Sequence, residues 1–292
     1  MISRPRRSVL FMPGDNPRAQ KKASGLAADV IILDLEDAVA PANKDTARDQ
    51  VLSTLRQHPF GRREVIVRVN RLDSHWGSDD LAALSRTNPD GILLPKVESA
   101  DELFQAAVAF TAQGAPADLS LWAMVETPRG IQNIEDIACA SRQLACLVLG
   151  TGDLASGLRL RESDPDRTGL IYALSRCVLA ARASGLDVSD GVFFDLADSS
   201  GFKVSCEQGR RLGFDGKSLI HPSQIDPANR VFSPGSDAID HARRVVEAWD
   251  TAATHERGVL VVDNQLVEAL HVRDARRLLA LHDAIEALNT GS

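Results

Sequence analysis

Short runs of Val, Ile and Leu recur along the chain, each followed by a stretch in which apolar residues return every three or four positions. The runs predict strands at Ser8–Met12, Asp29–Leu35, Glu64–Val69, Gly91–Lys96, Leu121–Val125, Cys146–Leu149, Leu186–Ser189 and Gly216–Ile220. The first four and the sixth are rich in Val, Ile and Leu, as strands covered on both faces should be. Between them, sets such as Leu103, Ala106, Ala107 and Phe110 mark one face of a helix. Eight βα units in series predict an α/β fold, a (β/α)8 TIM barrel rather than an open doubly wound sheet. The barrel domain is expected over residues 1–226. Residues 227–292 are expected to form a C-terminal extension: a linker over Pro227–Ser236, a helix over Asp237–Thr251, a hairpin over Val259–Val267 turning at Asp263-Asn264, and a helix over Val272–Leu288.

Alternate residues of a barrel strand face the interior, and active sites sit at the strands' C-terminal ends. In Glu64–Asn70 the three valines share the face toward the helices, so Ile66, Arg68 and Asn70 point inward. The same parity puts Asp34 and Glu36 inward at the end of the second strand, Glu126 at the mouth after the fifth, and Thr151 and Asp153 after the sixth; Lys96 ends the fourth. One rim thus collects Asp34, Glu36, Glu126 and Asp153 against Arg68 and Lys96. A structural ion-pair network would account for it. So would a divalent cation, since several carboxylates converging on one point need a counter-charge. Oxygen donors without His or Cys favour Mg2+ or Mn2+ over zinc.

Three further features compete for a chemical role. Gly150-Thr151-Gly152-Asp153-Leu154-Ala155 fits a dinucleotide fingerprint, but it falls in the sixth βα unit rather than the first, and its glycines read better as room for a substrate against the backbone. Lys96 and Lys217 could each form a Schiff base or pair with the rim carboxylates; pairing is preferred because a metal offers an alternative chemistry. His221, before Pro222, reads as a capping or core histidine.

Charge narrows the partners. With 33 Lys and Arg against 40 Asp and Glu the net charge is −7, which argues against nucleic acid. No apolar run reaches the ~18 residues of a membrane span, and the N-terminal apolar stretch, broken at Pro13-Gly14, is too short for a signal peptide. Four scattered cysteines without zinc spacing fit reduced thiols in a cytoplasmic protein.

Seven segments together carry a family resemblance. They are Arg7–Gly14 (RSVLFMPG), Asp34–Val39 (DLEDAV) with Lys44, Val67–Asn70 (VRVN), Leu94–Glu98 (LPKVE), Glu126–Gly130 (ETPRG), Gly150–Asp153 (GTGD), and Gly213–Lys217 (GFDGK) with Ile220-His221-Pro222. In this order, over essentially the whole chain, they resemble the citrate lyase β-subunit-like (HpcH/HpaI aldolase) family of CoA-ester lyases. The resemblance implies a Mg2+-dependent barrel, assembled as a homotrimer or hexamer and acting on a CoA thioester. It implies Glu126 and Asp153 as metal ligands, with Glu126 also near the substrate, and Arg68 on the substrate carboxylate. It implies Phe11 and Lys22 as contacts to acyl-CoA with Arg7 beside them; Asn16 stands where some malyl-CoA lyases have an arginine. Asp34, Glu36, Asp37 and Lys96 would form the surrounding layer that orients Arg68 and the ion's waters. Glu268 stands where the family often has an Asp on a lid hairpin, as the acid that protonates an enolate. The implied reaction is retro-Claisen cleavage of citramalyl-CoA or malyl-CoA to acetyl-CoA and a 2-oxo acid. The alternatives are a subunit of a carrier-protein-dependent citrate lyase, or a metal-dependent aldolase on 2-oxo acids without CoA.

Overall fold

The computed structural model describes residues 4–116, 119–160, 166–252 and 258–290. Eight parallel strands close into a barrel in sequence order: β1 (Ser8–Pro13), β2 (Val30–Asp34), β3 (Glu64–Arg68), β4 (Gly91–Leu94), β5 (Ser120–Val125), β6 (Leu144–Leu149), β7 (Asp187–Asp190) and β8 (Gly216–Leu219), with β8 returning to β1. Each agrees with its expected run to within two residues at either end. Helices cover the outside, and the chain between them supplies the loops at the mouth.

Two apolar layers result from strand parity. Val65, Val67 and Val69 join the large core between sheet and helices. Ile66 instead joins Val9, Val30, Ile32, Leu93, Trp122, Met124, Cys146 and Val148 in a separate cluster that fills the barrel interior. Packed side chains therefore close the lumen below the mouth, and polar groups on inward positions are displaced to the strand ends. The β2–β3 register sets Asp34 beside Arg68, so two inward charges become cross-strand neighbours at the rim.

The chain divides into two compact units, one running Arg6–Phe232 and the other taking in the chain from Ser233. The linker expected at Pro227–Ser236 is largely a helix, Ile225–Phe232, whose Ile225, Ala228 and Phe232 are buried. Pro227 lies in its first turn, where a missing N–H costs little, so the proline was no sign of irregular chain. In the second unit, helix Ser236–Ala252 packs with helix Ala269–Thr290 and with β9 (Leu260–Val262), which pairs antiparallel with β10 (Gln265–Val267). The hairpin turns at Asp263 and Asn264, with φ of 50° and 61°; Asx residues tolerate this left-handed pair, and it matches the strands' twist.

Candidate active site

Seven charged residues from five different strand ends meet at the C-terminal end of the barrel. Arg68, ending β3, is buried and spends its Nε and Nη2 on the two oxygens of Asp34, ending β2. Its Nη1 lies 3.0 Å from Glu36 Oε2 and 3.7 Å from Asp37 Oδ2, and 3.5 Å from Met124 Sδ. The guanidinium stands over the Phe11 ring, 5.1 Å from its centroid. Asp34 also accepts from the N–H groups of Glu36 and Ala38, which curls the chain so that Glu36 follows it into the mouth. Lys44 fastens this curl from outside by donating to the carbonyls of Leu35 and Glu36.

Lys96 supplies the second cation. Its ammonium pairs with Glu36, lies 3.3 Å from Asp37 Oδ1 and 3.7 Å from Asp153 Oδ2, while its backbone N–H donates to Glu126 Oε1 at 2.9 Å. Glu126 follows β5 and is held there because Thr127 caps the next helix, its hydroxyl accepting from Gly130 N–H. Asp153 lies in the first turn of the helix Thr151–Gly157. Gly150 precedes it because a Cβ there would collide with the Glu126 carboxylate. The room expected for a substrate is thus taken by a protein side chain, and Gly152 likewise faces the Phe194 ring.

Five carboxylates, those of Asp34, Glu36, Asp37, Glu126 and Asp153, therefore face two cations. Burial, added to by Glu36 and Asp153 and opposed by Arg68 and Lys96, pushes the Glu126 carboxyl up to about 7. Burial raises Glu36 as well, against the pull of Arg68 and Lys96. Asp37 moves down: burial opposes this, but Arg68, Glu36 and Lys96 outweigh it. Burial would weaken the Arg68 cation, yet its bonds to Asp34 more than compensate, so it stays charged.

Among the described residues no group of three Asp, Glu, His or Cys side chains could hold a metal ion unaided. The donor chemistry nevertheless suits Mg2+, which keeps several waters and takes one or two carboxylates, with substrate oxygens completing its shell. A cationic group already sits among these oxygens in the form of the Lys96 ammonium.

The other residues expected at the site are placed differently. Arg7 precedes β1 and is buried at the opposite, N-terminal end, its Nε and Nη2 on Asp29 at 2.8 and 2.7 Å; the strand's whole length separates it from the mouth. Lys22 is exposed on the last turn of the helix Pro17–Ala23. Lys217 pairs with Asp190 at 2.8 Å instead of with the rim, because both share the outward parity of Leu219 and Val188, beneath the helix Ser199–Leu212. Arg167, which the sequence did not single out, completes that buried pair through Asp190 at 2.7 Å. His221 caps the turn Pro222–Gln224, its Nδ1 accepting from Ser223 N–H. In the second unit, Glu268 is half-buried just ahead of the helix Ala269–Thr290, and its N–H donates to His271 Nδ1 at 3.0 Å.

Residues 7–222 match the family model described as HpcH/HpaI aldolase/citrate lyase. The chain belongs to the HpcH/HpaI aldolase/citrate lyase family. A (3S)-malyl-CoA thioesterase of Cereibacter sphaeroides is 49% identical over 97% of this chain and 96% of its own. The citrate lyase subunit beta of Escherichia coli K12 is 39% identical over 95% and 93%. Among solved structures, the protein CitE of Mycobacterium tuberculosis in complex with magnesium, acetoacetate and coenzyme A superposes with a TM-score of 0.74, at 31% identity, covering 94% of this chain and 97% of that one. This family member is an enzyme of the carbon–carbon lyase class. Among the described residues no helix is long and apolar enough to cross a membrane.

Proposed function

We propose that the protein is a Mg2+-dependent CoA-ester lyase that cleaves malyl-CoA or citramalyl-CoA to acetyl-CoA and a 2-oxo acid. The observation that carries this reading is the meeting of Glu126 and Asp153 with the buried Arg68 at the barrel mouth, in a chain of this family. Glu126 and Asp153 would hold the ion, with Mn2+ able to substitute. The ion would supply Lewis-acid polarisation of the 2-hydroxy acid's hydroxyl and carboxylate oxygens.

The chain's own residues do the rest. Asp34 occupies the Nε/Nη2 edge of the Arg68 guanidinium, so the substrate carboxylate is taken on Nη1, where Glu36 now sits. The Phe11 ring, 5.1 Å from the guanidinium carbon, backs the Arg68 cation and would support the acyl chain. As the bond between the hydroxyl-bearing carbon and the methylene carbon breaks, the hydroxyl gives up its proton to solvent and its oxygen becomes the carbonyl oxygen of the 2-oxo acid. The methylene carbon leaves as the enolate of the acetyl thioester. Glu268 is the acid that protonates it and, in the reverse direction, the base that removes the proton. Leu266 and Leu270, both exposed around Glu268, would help keep water from the enolate. The unit through Phe232 serves as the catalytic barrel and the chain from Ser233 as the lid extension. Lys22 contacts the CoA outside the mouth. The working form is a cytoplasmic homotrimer or hexamer, in which Glu268 closes a neighbour's barrel.

A second reading, thioester hydrolysis, is favoured by the 49% identical relative named as a thioesterase. One assay separates the two. Purified protein is given malyl-CoA and citramalyl-CoA with Mg2+, and 2-oxo acid and free thiol are followed together. A lyase releases 2-oxo acid without thiol; a hydrolase releases thiol without 2-oxo acid. Neither product from either ester would overturn the reading and point to a carrier-protein thioester or a substrate without CoA. The trans arrangement is tested by mixing inactive Arg68→Ala and Glu268→Ala subunits. Recovery of about a quarter of the sites is expected after random exchange between sites that each combine two subunits. No recovery after proven exchange contradicts it.

A further inference from the structure

We infer that Lys96 is a built-in competitor of the divalent cation: its ammonium holds the mouth carboxylates together in the metal-free protein and gives up Asp153 when the ion binds. The inference rests on the reading of Glu126 and Asp153 as the ion's ligands.

The first observation is the backbone. Lys96 adopts φ of 52°, a left-handed conformation that is unfavourable for a residue with a Cβ. Neighbouring bonds enforce it: Lys96 N–H donates to Glu126 Oε1 at 2.9 Å and Val97 N–H to Met124 O at 3.0 Å. A glycine would fit this turn without strain, so the retained side chain calls for a use.

The second observation is where that side chain goes. Its ammonium reaches Glu36 and Asp37 in the loop after β2 and Asp153 in the first turn of the helix after β6, while its own amide holds Glu126, which follows β5. One residue thus ties together carboxylates that follow three different strands, β2, β5 and β6. The two it touches last in each direction, Glu126 and Asp153, are the two assigned to the ion.

Electrostatics then sets the competition. A dication is drawn to these oxygens about twice as strongly as an ammonium at equal distance, and the two cations repel each other within the same few ångströms. Both cannot stay on Asp153. Lysine suits the yielding partner because its charge rides on a flexible four-carbon stem with no fixed bonding geometry. Asp37, more than half exposed, offers the ammonium a place to retreat while Glu36 keeps hold of it. The loops are thus kept assembled between metal-binding events, and the affinity for the ion is held below what five carboxylates would otherwise give.

The test measures Mn2+ binding through the paramagnetic signal of the free ion, and the rise in Tm caused by Mg2+, in wild type, Lys96→Met and Lys96→Gly. Glycine relieves the left-handed backbone and so provides a folded variant if methionine does not. Both variants are expected to bind Mn2+ about ten-fold tighter or more, following the removal of a nearby like charge. The Mg2+-induced rise in Tm should also grow, because the contacts with Glu36 and Asp37 are lost in both states while the contact with Asp153 is lost only from the metal-free one. Wild-type binding with unchanged or weaker affinity in the folded variants overturns the role of Lys96 and leaves the ion site standing. Wild type that binds no Mn2+ removes the ion site, and the inference with it.

Discussion

The two ends of the barrel use the same ingredients, buried arginines and carboxylates, to opposite effect. At the N-terminal end Arg6 places Nε and Nη2 on Glu64 and Nη1 on Asp187, each at 2.7 Å, with its guanidinium 4.7 Å above the Trp122 ring. Arg7 beside it is matched to Asp29. Donor is fitted to acceptor, and the end is sealed. At the C-terminal end five carboxylates share Arg68 and Lys96, and burial, with the neighbouring Glu36 and Asp153 adding to it, makes Glu126 hold a proton up to about 7. Three carboxylates matched bond for bond by two arginines close one end; five carboxylates sharing two cations at the mouth leave work for a ligand of positive charge.

Removing a carboxylate from the mouth should therefore spare the fold and end the reaction. Glu126→Gln and Asp153→Asn are expected to lower kcat about a thousand-fold or more, as is EDTA, with Mg2+ or Mn2+ restoring only the wild type. Normal circular dichroism together with lost turnover is the outcome to look for. If EDTA did nothing and borohydride trapped a substrate on Lys96, the mouth would be a Schiff-base site instead.

The sealed end should respond the other way. Arg6→Ala strands Glu64 and Asp187, so the urea-derived stability should fall by about 3–5 kcal/mol, while activity well below the midpoint persists. A loss of activity without loss of stability would break the contrast between the ends.

The third expectation is a pH dependence. The Glu126 carboxyl is raised from 4.5 to about 7, so the folded protein holds this proton more tightly than the unfolded chain. That contribution to stability is full below pH 4.5 and is lost as pH rises through about 7. For a largely buried group it amounts to about 3 kcal/mol. Metal-free wild type should thus lose Tm between pH 6 and 8 relative to Glu126→Gln, and Mg2+ should cancel the difference. Parallel curves for the two proteins would show that Glu126 does not titrate there.

A smaller effect is expected at Arg68. Lysine keeps the charge but cannot grip Asp34 through two nitrogens and still present a third to substrate, so Arg68→Lys should cost about 2 kcal/mol in kcat/KM. A lysine variant close to wild type would reject the positioning by Asp34.

Much of this contrast was legible in the sequence because strand parity is a rule of period two. It separated Ile66 from Val65 and Val67, and it brought Asp34, Glu36, Arg68 and Glu126 to one rim. It fails for Lys96 and Asp153, which continue the outward parity of Ile92 and Leu94 and of Leu147 and Leu149; they reach the mouth through the left-handed backbone at Lys96 and the first turn of the helix Thr151–Gly157. The same rule puts Lys217 on the face of Leu219 and away from the mouth. Arg7 was legible too, since a residue ahead of a barrel strand lies at the N-terminal end. What the pattern could not carry is pairing. Nothing local says that Arg68 turns its fork to Asp34, that Arg167 reaches Asp190 from 23 residues away, or that the space beside Gly150 belongs to Glu126. These follow from loop paths that many sequences could take.

The central claim is that the unbalanced end of the barrel holds one divalent cation on Glu126 and Asp153. Calorimetric titration of the metal-free wild-type protein with Mn2+ tests it directly, alongside Glu126→Gln and Asp153→Asn. The account predicts one ion per chain in the wild type, and binding abolished or weakened at least a hundred-fold in each variant, in line with the loss of one of only two protein ligands. Wild-type protein that takes up no ion, or variants that bind it as well as wild type, would contradict it.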